Sequence, residues 1–517
     1  MAKQIKILWV DDEIDLLKSH VIYLTEKGFE VETATNGQDA LDMIESEFYD
    51  LIFLDENMPG LSGLQTLTRI KEMRPEWPVI MITKSEEENI MEEAIGRKIA
   101  DYLIKPVNPT QILSSIKKNI DKRRLITETT TSTYQSEFSQ ISLKINDSFT
   151  FDDWVNIYKK LSYWELELQE GEDTMDEVML MQKTQANHAF TKFIKKNYLD
   201  WLNADVESPL MSHQLMKDKI LPLLEDGHKV VYIVIDNFRY DQWEVLKRDM
   251  AEDYITEEEN IYCSILPTST QYARNSLFSG LMPAQIKKMY PEYWLEEDDE
   301  GGKNQFEDKL IGTFFQRFRK PYTHTYRKIL NHEYGKKLLD QLPELLKNDL
   351  VAVVYNFVDM LSHARTEVKM IKELAANEAA YRSLTHSWFS HSSLKELLLR
   401  LKKEDVKIVI TTDHGTIRVQ DPIKVIGDKN ISLNLRYKQG KNLRYNAKEV
   451  FEVKDPDKAM LPKPNLSTSY IFATCTDFFA YPNNYNHYVS YYKDTFQHGG
   501  ISLEEMLIPF VVLQSRK

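Results

Sequence analysis

The stretch Val406–Gly415, "VKIVITTDHG", sets a short apolar run directly before an acid and an imidazole. "VKIVI" has the length and continuous apolar character of a strand buried on both faces. Two other runs share this form. "VVYIVI" (Val230–Ile235) leads into Asp236, and "VAVVYNFV" (Val351–Val358) leads into Asp359, with His363 four residues on. Strands of this kind belong to parallel sheets, whose functional residues collect beyond the carboxyl ends. The region from about 206 onward is therefore expected to be an α/β domain whose strand tips gather Asp236, Asp359, His363, Asp413 and His414. Near the C-terminus "FQHGG" adds His498, next to glycines that let backbone approach closely.

Mixed nitrogen and oxygen ligands suit Zn²⁺, and these six are enough for two ions with open positions. Paired metals about 3.5–4 Å apart serve phosphoryl transfer. Mg²⁺ prefers shells richer in oxygen and water. A nucleophile is still needed. "SILPTSTQYARNSLFSGLMP" (264–283) places Thr268, Ser269 and Thr270 before a helix-like stretch. Hydroxyls there serve equally as helix caps or as a nucleophile at a helix N-terminus.

Residues 4–120 alternate strand-like runs with helix-length segments: "IKILWV", "EVETA", "LIFLD", "PVIMIT" and "DYLIKP". This predicts a doubly wound, five-stranded parallel (flavodoxin-like) sheet. Asp11, Asp12 and Asp55 end two of its strands, and three carboxylates at one sheet edge call for a cation such as Mg²⁺. Thr83 and Lys105 end two more, where a hydroxyl and an ammonium can meet phosphoryl oxygens. Lys105–Pro106 is a candidate cis bond. The polar tract "TETTTST" (Thr127–Thr133) reads as a linker, and residues 134–205 as a helical-bundle spacer rich in aromatics. Prolines at 456, 462 and 464 suggest an inserted lobe around 436–468. The expected domains are 1–124, 125–205 and 206–517.

The totals set bounds. A chain of 517 residues is too long for one ordinary core. With 42% apolar and 28% charged residues it is globular, and its net charge of −15 disfavours non-specific nucleic-acid binding. Cys263 and Cys475 are its two cysteines, which excludes a disulfide scaffold and fits a reducing, cytoplasmic setting. No apolar run approaches the ~20 residues of a membrane span, and the N-terminus lacks signal-peptide architecture. Arg239, in "DNFRYD", reads either as a substrate contact or as a structural salt bridge.

"VDDE…LDENMPG…T…KP" resembles the receiver domain of response regulators. The resemblance implies that Asp55 accepts phosphate from a cognate histidine kinase. It implies Mg²⁺ on Asp11, Asp12, Asp55 and the backbone carbonyl of Asn57, phosphoryl contacts from Thr83 and Lys105, and Tyr102 as aromatic switch. Further on, "VIDNFRYD", "LPTSTQYARNSLFSGLMP", "FVDMLSH", "TTDHG" and "HGG" follow the order used by the alkaline phosphatase superfamily and resemble PglZ-type domains. That implies one zinc on Asp236, Thr270, Asp413 and His414, and another on Asp359, His363 and His498. Thr270 would be the nucleophile of a phosphothreonine route. Arg274, one helical turn on, and Asn275 are candidates for contacting the substrate phosphate. The phosphate-binding arginine of some superfamily members has no assigned counterpart. Insertions such as 285–330 and 430–468 are where such proteins place their discriminating contacts.

The order receiver, helical spacer, PglZ-type domain resembles the PorX-type response regulators of the Bacteroidota type IX secretion system. This implies a zinc-dependent phosphodiesterase acting on linear or cyclic oligonucleotides, a phosphorylation-dependent homodimer, and secretion-system or sigma-factor partners. The alternative is a signalling scaffold acting through those protein partners, with the metal domain mainly structural.

Overall fold

The computed structural model describes residues 5–74, 77–84, 99–168, 175–203, 206–297, 299, 301–367, 375, 377–427, 432–482 and 484–516. The chain divides into two compact units, Met1–Thr133 and Tyr134–Lys517.

The first unit holds β1 (Lys6–Val10), β2 (Glu30–Ala34), β3 (Leu51–Asp55), β4 (Val79–Thr83) and β5 (Asp101–Ile104). They form one parallel sheet in the order β2-β1-β3-β4-β5. Strand alternation sends Leu8, Val10, Ile52, Leu54, Val79 and Met81 into one core, and Ile7, Trp9, Leu51, Phe53, Ile80 and Ile82 into another. Helices Lys18–Glu26, Gly37–Ser46 and Gly63–Met73 accompany the strands. The helix-length segment expected between β4 and β5 falls largely at 85–98, outside the described residues. Lys105–Pro106 is cis.

The tract Thr127–Thr133 is part of one continuous helix, Pro109–Asn146. Threonine costs a helix only about 0.5 kcal/mol per residue, so a short run of it inside a helix anchored at both ends does not interrupt it.

In the second unit, helices Phe151–Leu168 and Asp176–Asn203 do not stand apart as a separate body. Trp154, Leu161, Phe190, Ile194 and Tyr198 lie in the same continuous core as the strands that follow. Those strands are β6 (Val230–Ile235), β7 (Tyr254–Cys263), β8 (His324–Ile329), β9 (Leu350–Tyr355), β10 (Lys407–Thr411), β11 (Ile417–Arg418), β12 (Asp421–Lys424), β13 (Tyr437–Gly440), β14 (Phe451–Val453), β15 (Ser469–Phe472), β16 (Asp477–Ala480), β17 (Phe496–Gln497) and β18 (Leu507–Ser515). The main sheet runs β7-β18-β10-β6-β9-β8. Its β10, β6, β9 and β8 are parallel and β18 is antiparallel, so the three apolar runs end at one edge. The lobe at 436–468 contributes to a small sheet, β13-β15-β14. Among the described residues no helix is long and apolar enough to cross a membrane.

Candidate functional site

At the first sheet edge Asp11, Asp12 and Asp55 converge, with Asp11 and Asp55 buried and Asp12 exposed. Lys105 Nζ bridges Asp11 Oδ2 and Asp55 Oδ1, each at 2.8 Å. Burial raises the Asp55 carboxyl above its ordinary range, and Lys105 offsets part of that rise. The buried Thr83 donates to Glu56 Oε2 at 2.5 Å, a partner that sequence reasoning missed. Tyr102 is partly buried on β5, and Asn57 is exposed two residues after Asp55.

At the second sheet edge the chain after β10 is pinned by its own neighbours. Tyr262 Oη donates to the Thr412 carbonyl, Ser264 Oγ to the Asp413 carbonyl, and Thr412 Oγ1 to the His414 carbonyl. Gly415 is required by close approach: a Cβ there would lie 1.9 Å from the Glu504 carbonyl oxygen. This anchoring holds Asp413 and His414 beside Asp236 at the tip of β6. The ligand atoms of these three residues lie within 4.8 Å of one another. Asp359 and His363, one turn apart on helix Phe357–Glu367, form a second triad with His498. Asp359 Oδ1 is 3.5 Å from His363 Nε2 and 3.7 Å from His498 Nε2. The rings of His414 and His498 stack at 4.2 Å, so the triads adjoin. The six acids and imidazoles predicted as zinc ligands are thus brought into two neighbouring groups.

Thr270 opens helix Thr270–Ser279, and its hydroxyl faces the first triad, 3.4 Å from Asp236 Oδ1 and 3.1 Å from His414 Nε2. The N-cap, Ser269, makes no side-chain cap bond. Thr268 donates to the Gly500 carbonyl and accepts from Gly499 N–H, tying down the His498 loop. Neither Thr268 nor Ser269 caps the helix through its side chain, and of the three hydroxyls it is that of Thr270 that meets the first triad.

The donor set fits divalent cations on three observations. Ligand atoms about 2.1 Å from a tetrahedral ion stand about 3.4 Å apart, and six of the separations here lie between 3.1 and 3.8 Å. His414 Nδ1 donates to the Gly415 carbonyl and His498 Nδ1 to the Thr268 carbonyl. A carbonyl only accepts, so each ring keeps its proton on Nδ1 and turns a bare Nε2 toward the triads. Asp413 Oδ2 is buried without a hydrogen-bond partner. Burial, and then the charge of Asp236, push the Asp413 carboxyl up to about 6. Burial is also the largest effect on Asp236, but the charge and hydrogen bond of Arg274 act against it, and that carboxyl lies below its ordinary range.

Arg274 and Asn275 are not placed as expected. The Arg274 guanidinium is fully buried, with Nη1 on Asp236 Oδ2 and Nε on Glu307 Oε1, and Tyr326 donates to the other Glu307 oxygen. It orients a carboxylate of the triad and has no face turned to solvent. Asn275 is buried as well, donating to the Lys303 carbonyl and accepting from Asn304, which also donates to the Thr270 carbonyl. Asn356, another residue the sequence did not single out, donates to Asp236 Oδ2 at 2.9 Å. Arg274→Met is expected to lower stability by about 3–5 kcal/mol, because it leaves Asp236 and Glu307 buried without their cation. Urea unfolding of the purified protein checks this.

Arg239 belongs to a structural network. It pairs with Asp241 and Glu378, Arg382 joins Asp241 to Glu165, and Lys183 joins Glu165 to Glu504. The carboxylates Glu165, Asp241 and Glu378 also converge, but the three interleaved cations already neutralise them.

Residues 215–513 match the family model described as the BREX system PglZ alkaline phosphatase-like domain. The chain belongs to the PglZ family. Ahead of the PglZ domain, residues 7–117 match the response regulator receiver domain and residues 124–202 the PorX response regulator linker domain. Together the three make the architecture of PorX-type response regulators. The transcriptional regulatory protein SrrA of Staphylococcus aureus is 33% identical over 112 residues, 22% of this chain and 46% of that protein. The chain thus spans about half the length of the curated relatives it matches. Among solved structures, a CheY-like receiver domain from Methanospirillum hungatei JF-1 is 32% identical, with a TM-score of 0.23, over 23% of this chain and 96% of its own. A receiver domain from Clostridium thermocellum is 31% identical, with a TM-score of 0.23, over 23% and 98%. The protein therefore joins a response-regulator receiver to a PglZ, alkaline phosphatase-like output domain, of a superfamily that generally uses divalent metals.

Proposed function

We propose that this protein is a phosphorylation-controlled, zinc-dependent phosphodiesterase. The observation that carries this reading is the meeting of two adjoining triads, Asp236/Asp413/His414 and Asp359/His363/His498, with the hydroxyl of Thr270 against the first. One zinc would be held by Asp236, Thr270, Asp413 and His414, and the other by Asp359, His363 and His498. When bound, these cations lower the proton affinity of an alcohol and offset the charge of phosphoryl oxygens.

The chain's own residues then set the course of the reaction. Thr270 Oγ forms a bond to phosphorus as the bond to the leaving alkoxide breaks. The threonine proton passes to solvent water, and the alkoxide takes a proton from solvent. Water then attacks the phosphothreonine, releasing the second product and returning a proton to Thr270 Oγ. Arg274 keeps Asp236 charged and aimed, and the carbonyls of Gly415 and Thr268 hold the two imidazoles in register. Linear or cyclic oligonucleotides are the substrates this reading favours. Zinc quantification together with turnover of a panel of monoesters, linear oligonucleotides and cyclic nucleotides tests it. Absence of both zinc and turnover would sink it.

In the receiver, Asp55 accepts the phosphoryl group from a histidine kinase. Asp11, Asp12, Asp55 and the Asn57 carbonyl hold Mg²⁺, Thr83 and Lys105 receive the phosphoryl oxygens, and Tyr102 follows the change. The phosphorylated form favours a homodimer, and the output reaches the type IX secretion system through secretion-machinery or sigma-factor partners in the cytoplasm. The modules are 1–124, 125–205 and 206–517, a division supported by the ranges of the three family matches. Asp55→Asn is expected to take up no phosphate from acetyl phosphate under conditions that phosphorylate the parent protein, as read on a phosphate-affinity gel. Equal uptake by both proteins would remove Asp55 from this role.

A further inference from the structure

Arg274 is committed to Asp236 and Glu307, so it is not free for the substrate phosphate. The edge strand β8 supplies another cation. In the parallel register Lys328 stands beside Val354 of β9, and Val354 beside Val234 of β6. Residues in register share a face, and each strand returns to that face every second residue. The next positions along it are Asn356 after β9 and Asp236 after β6, and these two touch.

The preceding positions identify what covers this face. Tyr326 and Tyr232 both pack against Phe278, at 5.8 and 5.9 Å. Phe278 lies on helix Thr270–Ser279, and Arg274, one turn nearer its start, reaches Asp236. The helix therefore runs back from the strand tips with Thr270 foremost. Lys328 lies about 7 Å beyond Tyr326 along β8, on the side of the Thr270 end.

Lys328 is partly buried. Among the described residues no hydrogen-bond or ion-pair partner meets its ammonium. Burial and then the charge of Arg274 hold its pKa below the ordinary lysine range, while Glu307, Asp236 and Asp413 act against that shift. A cation held partly out of water beside another cation is poorly compensated by the protein alone, and an incoming anion would compensate it.

We propose that Lys328 holds an anionic oxygen of a phosphodiester substrate beside Thr270. The assignment rests on the reading of Thr270 as nucleophile and adds a preference to it. A guanidinium grips two oxygens of a dianionic monoester at once, whereas an ammonium is a point charge suited to the single charge of a diester.

The test uses the full-length, zinc-loaded protein with bis(p-nitrophenyl) phosphate, p-nitrophenyl phosphate and inorganic phosphate. Lys328→Met is expected to lower kcat/KM for the diester by about 10–100-fold and to weaken inhibition by inorganic phosphate by a similar factor. Zinc content and the unfolding midpoint should stay at parent values. Lys328→Arg should recover the diester rate to within a few-fold while raising the relative rate on the monoester.

Parent-like turnover and phosphate inhibition in Lys328→Met would overturn the assignment and leave the Thr270 reading standing. Equal losses in both variants would overturn it too, because that is the pattern of a packing role. A parent protein that neither turns over the esters nor binds phosphate would remove both readings together.

Discussion

Thr270→Ala is expected to abolish diester hydrolysis, lowering kcat by on the order of 10³–10⁶-fold, while Thr270→Ser retains turnover. The expectation follows from where the hydroxyl points. Thr270 is the first residue of its helix, and its Oγ1 faces Asp236 and His414. Alanine is also a good helix former, so the substitution removes the oxygen without a helix penalty. Both triads persist in Thr270→Ala, so zinc should still bind at the Asp359 group. Steady-state kinetics with zinc quantification on the same samples checks both statements. Parent-like rates in Thr270→Ala would show that the hydroxyl is no nucleophile.

Removing the metals should have the second-largest effect, this time on stability. Asp236, Asp413 and Asp359 crowd three carboxylates at one sheet edge, and the carboxylates of the inner pair are fully buried. Arg274 touches Asp236 but stands 3.7 Å from Asp413 Oδ2. A cation present at about 1,000 times its dissociation constant stabilises the state that binds it by about 4 kcal/mol. Chelator-treated protein should therefore unfold several degrees lower, with the midpoint restored by added zinc and only slightly by magnesium. Differential scanning calorimetry reads this, and the unit Met1–Thr133 provides an internal control because it does not carry these ligands. An unchanged midpoint after verified zinc removal would count against metal binding at the triads.

The comparison with sequence is uneven across the site, for physical reasons. Asp236, Asp359, Asp413 and His414 were legible because each follows a continuous apolar run, and a parallel sheet brings such run ends to one edge. His498 was legible only through its neighbouring glycines, and Gly499 does hold a positive φ of 124°. The partners of Arg274 were not legible, because proximity to Thr270 along the helix says nothing about what lies opposite. Its partners Asp236 and Glu307 are 38 and 33 residues away in the chain. The polar tract Thr127–Thr133 and the helical segment were read from composition, which does not report that one helix runs through the tract or that Trp154 and Phe190 share a core with β6.

The sequence by itself determined the sheet architecture and which acids and imidazoles stand at the strand tips, since hydrophobic period and strand ends are local properties of the chain. Tertiary structure decided which polar groups are already satisfied. Arg274, Arg239 and Asn275 are taken up by partners remote in sequence, whereas Lys328, in register with Val354, has no such partner among the described residues. Satisfaction of charge depends on distances of a few ångströms between segments that only folding brings together, and no pattern along the chain encodes those distances.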